Sequence, residues 1–146
     1  MSRNRMRAAI VLSALALLLS SGCKKQIKTY PVSGEIYVNG KPAEAATIFL
    51  IPQGDKTGNM PRPFGQADAE GKFTLSTFKE KDGAPAGEYV AIFQWPEQSG
   101  GIFNQSRMDG RDRLGGAYYN KDESQIHVTI GEQPTVLPRF DLQAAK

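Results

Sequence analysis

The sequence predicts an all-β fold, a seven-stranded antiparallel β-sandwich, on three observations. Apolar and polar residues alternate with period 2 in short segments between Val32 and Leu142. Turn formers separate those segments at near-regular spacing, in a chain of 146 residues with 15 glycines and 9 prolines. Hardly any helical periodicity interrupts them.

The first strand is the clearest. Val32, Gly34, Ile36 and Val38 alternate with Ser33, Glu35 and Tyr37, as in a strand with one buried face. Gly34 marks a bulge or a close backbone approach. Asn39-Gly40 then turns the chain, because both residue types tolerate positive φ. Thr47 to Ile51 is apolar on both faces, which predicts a central strand, and Pro52 ends it. Gln53 to Pro63 is a loop, with prolines at 52, 61 and 63 around it.

Two further strands, Phe64 to Ala67 and Phe73 to Phe78, flank Asp68-Ala69-Glu70-Gly71. There an aspartate can hydrogen-bond its own backbone and a glycine supplies positive φ, so the pair is a hairpin. Lys79 to Gly87 is polar and leads into Glu88 to Trp95, the most β-prone stretch of the chain and a buried strand, with Tyr89 packing at its start. Pro96 to Glu123 is a long irregular region whose five glycines argue against a helix. Ser124 to Ile130 alternates again, and Gly131 to Pro134 turns the chain into the last strand, Thr135 to Leu142.

Ahead of this domain lies a leader. Arg3, Arg5 and Arg7 precede the apolar run Ala8 to Leu19, and Ser20-Ser21-Gly22 precede Cys23, the only cysteine. A basic start, a short apolar stretch and small residues before a cut are the three parts of an export signal. The run is well below the roughly 20 residues of a spanning helix, which disfavours a permanent transmembrane anchor. Gly22-Cys23 resembles the lipobox of bacterial lipoproteins, although Ser20 stands where an aliphatic residue is usual. That resemblance implies that the Cys23 thiol receives a diacylglycerol and that the chain is cut before it. Acyl chains contribute about 0.8 kcal/mol per buried CH₂, so two or three of them hold a protein stably. The expected organisation is a signal peptide over 1–22, a lipidated tether over 23–30 and a β-sandwich over 31–142, lipid-anchored to a membrane of the bacterial cell envelope and facing the periplasm or exterior.

Processing alters the charge balance. The leader holds three of the 18 basic side chains and none of the 15 acidic ones, so the remainder is neutral. A nucleic-acid partner needs a concentrated basic face, and that expectation falls with the leader. Lys24, Lys25 and Lys28 remain beside the lipid, where they act as a solvated tether or meet an anionic surface. Removing residues 1–22 leaves 124, enough for one domain. With Cys23 acylated no thiol is left for a disulfide, and stability comes from packing.

The series Val32-x-Gly34-x-Ile36, Asn39-Gly40-Lys41-Pro42, Ala46-Thr47-Ile48-Phe49, Asp68-Ala-Glu-Gly71-Lys-Phe73, Asp82 to Val90 and Tyr119-x4-Ser124-x-Ile126 resembles small bacterial lipoproteins with a carboxypeptidase regulatory-like domain. That domain is similar to transthyretin in fold, and the similarity covers residues 30–142. It implies a prealbumin-like or immunoglobulin-like sandwich of seven strands and no established activity.

Catalytic chemistry has few candidates. His127 is the only histidine, and alternation points it away from the Ile126/Val128/Ile130 face, so it is an exposed strand residue. Transthyretin-like hydroxyisourate hydrolases use several histidines and a C-terminal tetrapeptide ending in serine; this chain ends Gln143-Ala-Ala-Lys146. A zinc peptidase needs a set of histidine and glutamate ligands that is missing here. An EF-hand starting at Asp68 would require an acid where Lys79 stands. A serine hydrolase needs a base and an orienting acid around its nucleophile, and His127 alone does not supply them. No enzyme activity, metal or cofactor is expected.

Binding has more. Tyr37, Trp95, Phe103, Tyr118 and Tyr119 are candidates for a stacking platform, with Trp95 the best placed at a strand end before Pro96. Pro96 to Glu123 exceeds the roughly 12–15 residues beyond which a loop is usually functional or disordered. Its Arg107, Arg111 and Arg113 suit a carboxylate or phosphate, or pair with Asp109 and Asp112. The ligand contacts expected are Trp95, Phe103, Arg111 and Arg113, in an interaction or structural module whose partner is an envelope protein; a carbohydrate-binding module is the alternative.

Overall fold

The computed structural model describes residues 26–97 and 111–144. The leader, Cys23, Phe103 and Arg107 lie outside the described residues. Eleven short strands follow one another: β1 (Thr29–Tyr30), β2 (Val32–Val38), β3 (Lys41–Pro42), β4 (Thr47–Pro52), β5 (Phe64–Gln66), β6 (Lys72–Thr74), β7 (Ala84–Pro85), β8 (Gly87–Gln94), β9 (His127–Ile130), β10 (Thr135–Val136) and β11 (Phe140–Leu142). Among the described residues no helix occurs, and none is long and apolar enough to cross a membrane.

Two sheets share one core. The first is antiparallel in the order β5-β4-β8-β9. The second is built on β2, whose residues alternate buried and half-buried along its whole length, as the sequence pattern requires. Phe93 of β8 meets Phe140 of β11 with ring centroids 5.0 Å apart, and Phe140 stacks on Phe73 of β6 at 6.3 Å. Ile36, Ile48, Leu50, Leu75 and Phe93 fill the rest of this sandwich-like interior and are fully enclosed. Gly34 marks a close approach: a Cβ there would stand 2.6 Å from the Phe73 ring. A side chain at Gly34 would displace that ring from the core.

β2 also departs from the expected antiparallel order. It pairs antiparallel with β3 and β6 but parallel with β10 and β11. The turn Gly131 to Pro134 does not close a hairpin; it carries the chain from β9 in one sheet to β10 in the other. Alternation reports which face of a strand is buried and not the direction of its neighbour, so this crossing is invisible in the sequence. The predicted final strand is also divided. Leu137 N–H still donates to Ser33 O at 2.8 Å, but Pro138 has no N–H to give, and pairing resumes at Phe140.

The predicted seven strands become eleven through that division and through three strands of two residues each, β1, β3 and β7. Thr29 and Tyr30, expected in the tether, pair with Pro85 and Ala84, because Tyr30 buries its ring. The long region after Trp95 is paired at its base. Glu97 N–H donates to Arg111 O and Arg113 N–H to Trp95 O, so β8 continues as a narrow antiparallel ribbon. Leu114 is fully buried, Tyr118 sets its ring edge-on to Phe93 at 6.5 Å, and Tyr118 O accepts from Phe93 N–H.

Register fixes the two ends of the molecule. Pro52 lies opposite Tyr89 at one end of β4, and Thr47 lies opposite Gln94 at the other. Strands rise about 3.3 Å per residue, so the ends are roughly 17 Å apart. The chain enters at the first end, where Ile27 shares a cleft with Pro52, Met60 and Tyr89. Trp95, Asn39 and Lys41 gather at the second.

Candidate functional site

At the far end, Asn39, Lys41, Pro42, Glu44, Trp95 and Arg113 line an open cleft of about 490 Å³, with Val38 and Ala144 completing it. The turn Asn39-Gly40 sets one wall: both residues hold positive φ, and Lys41 returns to pair with Val38. Asn39 Oδ1 also accepts from Ala144 N–H at 3.3 Å, which brings the C-terminal residues to the same rim. Trp95, the residue after β8, forms the opposite wall.

Trp95 is held on every polar atom of its own. Its indole Nε1–H donates to Glu44 O at 2.9 Å, and its backbone N–H donates to Asp112 Oδ1 at 2.9 Å. The Arg113 guanidinium lies over the indole, 3.5 Å from the ring centre. A guanidinium stacked on an aromatic face keeps its in-plane N–H donors available, so Arg113 can still meet an acceptor from the cleft. Trp95 as a whole is only 9% exposed. The arrangement therefore offers a cationic rim above a fixed aromatic wall rather than an open stacking platform.

Asp112 organises this end. Its carboxylate accepts from the backbone N–H groups of Trp95, Leu114 and Gly116 at 2.9, 3.1 and 2.8 Å. It bonds these backbone donors and forms no ion pair with its neighbouring arginines. This function was missed in the sequence, where an aspartate between two arginines reads first as an ion-pair partner. Lys41, Asn39 and Glu44 were missed as cleft residues as well, because only the folded β2–β3 turn carries them to Trp95.

The other expected contacts are dispersed. Arg111 is exposed and joins the ribbon through its carbonyl; Tyr119 is 52% exposed, while Tyr118 is half-buried against Phe93. Tyr37 lies under the Arg139 guanidinium, 4.7 Å from its ring centre. His127 is exposed on β9, where Nδ1 accepts from Gln53 Nε2 at 2.7 Å, outside the Trp95 cleft. Among the described residues no three His, Cys, Asp or Glu side chains converge as a metal site.

Two carboxylates near the chain's entry show a different use of charge. Desolvation opposes ionisation of Asp82, but N–H donors from Thr77, Phe78 and Lys79 outweigh it and hold the carboxyl below its ordinary range. Asp55 is held low in the same way, desolvation being outweighed by donors from Met60, Thr57 and Gly58. Burial raises the Tyr89 hydroxyl, which donates to Pro85 O at 2.8 Å and ties β8 to β7. No family model, curated protein or solved structure matches the chain, so its function is approached from this geometry.

Proposed function

We propose that this chain is a lipid-anchored protein of the bacterial cell envelope whose non-catalytic β-sandwich, of the transthyretin-like, carboxypeptidase regulatory-like kind, presents an interaction surface away from the membrane. One observation supports the reading above the others: the chain enters the fold at the Pro52/Tyr89 end, while the Trp95–Arg113 cleft opens at the opposite end. Only five residues separate Cys23 from Thr29, so an anchor at Cys23 keeps the first end close to the bilayer and turns the second outward.

The test is expression of the full chain with labelled fatty acid. Label at Cys23 and membrane retention, both lost on Cys23→Ser, are expected; unchanged retention of that variant overturns the reading. Photo-crosslinking from Arg111 in the intact envelope then gives the class of partner, a protein adduct being the expected product. The alternative, a carbohydrate-binding module, draws on the hydrogen-bonding rim of Arg113, Lys41 and Asn39 around the cleft. Saturable binding of cell-wall glycan that is lost on Arg113→Ala would favour it.

A further inference from the structure

Opposite the Trp95 cleft, the end at which the chain enters carries a second, smaller cleft of about 300 Å³, and its walls are chiefly apolar. Ile27 is 49% exposed and Met60 47% exposed there, with Pro61, Pro85 and Ala86 between them. Large apolar side chains clustered at one exposed place mark a contact surface more often than scattered ones do. We propose that this end of the domain rests directly on the bilayer, with Ile27 and Met60 entering the headgroup boundary and the neighbouring lysines meeting anionic lipid. The inference rests on the lipid-anchor reading of Cys23.

Chain length is the first argument for that occupant. Four residues lead from Cys23 to Ile27, and an extended chain spans at most about 3.6 Å per residue, so Ile27 stays within roughly 14 Å of the acylated cysteine. No other exposed apolar group of the described residues is tied so closely to the anchor. Charge is the second. Lys24, Lys25 and Lys28 lie within six residues of Cys23, and no acid occurs before Glu35. Lys56 and Arg62 add two exposed cations on the loop that bears Met60. Against these cations stand Asp55 on the same loop and Asp82 near the entry, both ionised and bonded to their own loops' N–H groups, and Glu88 lining the cleft; the excess of positive charge comes from the three tether lysines. A basic, apolar-tipped surface held against anionic headgroups is the arrangement that lets one lipid signal be reinforced by a second.

The loop also holds Met60 in place. Asp55 accepts from Thr57, Gly58 and Met60 N–H at 3.1, 2.8 and 3.1 Å, so the backbone at Met60 is tied to the start of its own loop. The apolar tip is thereby presented by a loop built on internal hydrogen bonds.

The experiment uses the full, processed chain reconstituted in vesicles of phosphatidylethanolamine and phosphatidylglycerol. Because Cys23 is the only cysteine and is acylated, Met60→Cys provides one free thiol for an environment-sensitive fluorophore, and Lys41→Cys provides the far-end control. The expected result is a blue-shifted emission at position 60 with quenching by acyl-brominated lipid several-fold stronger than at position 41. Ile27→Glu should reduce that quenching while the protein still floats with the vesicles. Equal, weak quenching at both positions in protein that floats would overturn the surface contact and leave the anchor standing. A shift at position 60 that scales with protein density in the membrane would assign the face to a second copy and overturn the proposal. Protein that fails to float would overturn the anchor and this inference with it.

Discussion

The end where the chain enters and the end that bears Trp95 are both closed by an aspartate that accepts several backbone N–H groups, yet they are built to different purposes. At the entry end Asp82 gathers Thr77, Phe78 and Lys79, and Asp55 gathers Thr57, Gly58 and Met60; of the residues so held, Phe78 and Met60 are large, apolar and exposed. At the far end Asp112 gathers Trp95, Leu114 and Gly116, and there the large apolar groups turn inward while cations form the rim. The same local device, a carboxylate satisfying N–H donors that the strands leave unpaired, presents an apolar tip in one case and a polar one in the other. What differs is the partner of the neighbouring ring. Trp95 packs into the core under Arg113, whereas Ile27 and Met60 stay about half exposed.

The comparison is broken most severely by Trp95→Ala. Removing a large buried aromatic costs about 3–5 kcal/mol, and here it also frees the Glu44 carbonyl and strips Arg113 of its ring. The denaturant midpoint should fall accordingly, and amide exchange should accelerate first at Leu114 and Gly116. Loss confined to the entry end would contradict the account of Trp95 as the far-end wedge.

Gly83→Ala should make the complementary break. Gly83 holds φ +87, and a Cβ there would run into the Tyr30 carbonyl, so both backbone strain and collision oppose any side chain. A cost of about 2–3 kcal/mol is expected. Because Tyr30 and Ala84 pair at this point, β1 should detach from β7, with fast exchange at the entry end. Trp95 is the only tryptophan, so its fluorescence reports the far end alone and should stay as it is. Asp112→Ala reverses the pattern at about 1–2 kcal/mol, since it leaves three N–H groups to water: tryptophan emission shifts and β1 exchange does not.

Most of the fold was legible in the sequence because its strands carry one face to the core. Val32 to Val38 has the predicted bounds, and the buried stretch ending at Trp95 differs by one residue at each end. What escaped is whatever a period-2 pattern does not encode. The parallel pairing of β10 and β11 with β2 depends on a crossing between sheets, and the two-residue strands are too short to carry any periodicity. The Trp95 cleft was half legible. Trp95 and Arg113 were singled out by residue type and meet in space, but Lys41 and Asn39 reach them only through the β2–β3 turn, and Asp112 reads as an ion-pair partner because its true partners are backbone N–H donors without a sequence signature.

The smallest expected effect separates the entry end by pH. A carboxyl held low in the folded state adds stability that is fully present above its unfolded pKa, near 3.8 for aspartate, and that is lost as pH falls through the lower folded value. The folded protein binds fewer protons than the unfolded chain in that window, so acid favours unfolding. Asp82 is only half-buried, and screening keeps its share below about 1 kcal/mol. Asp82→Asn should therefore lower the denaturant midpoint slightly at pH 6 and flatten its further decline between pH 4 and pH 2. The measurement that locates the effect is amide exchange across the same interval. Thr77, Phe78 and Lys79 should lose protection in the parent as the acid window is crossed, and Asp82→Asn should show that loss already at pH 6. An acid decline of the same steepness in both proteins would mean that Asp82 does not carry the pH sensitivity of the entry end, leaving the Asp55 loop, with Met60 at its tip, as the part of this end that acid loosens first.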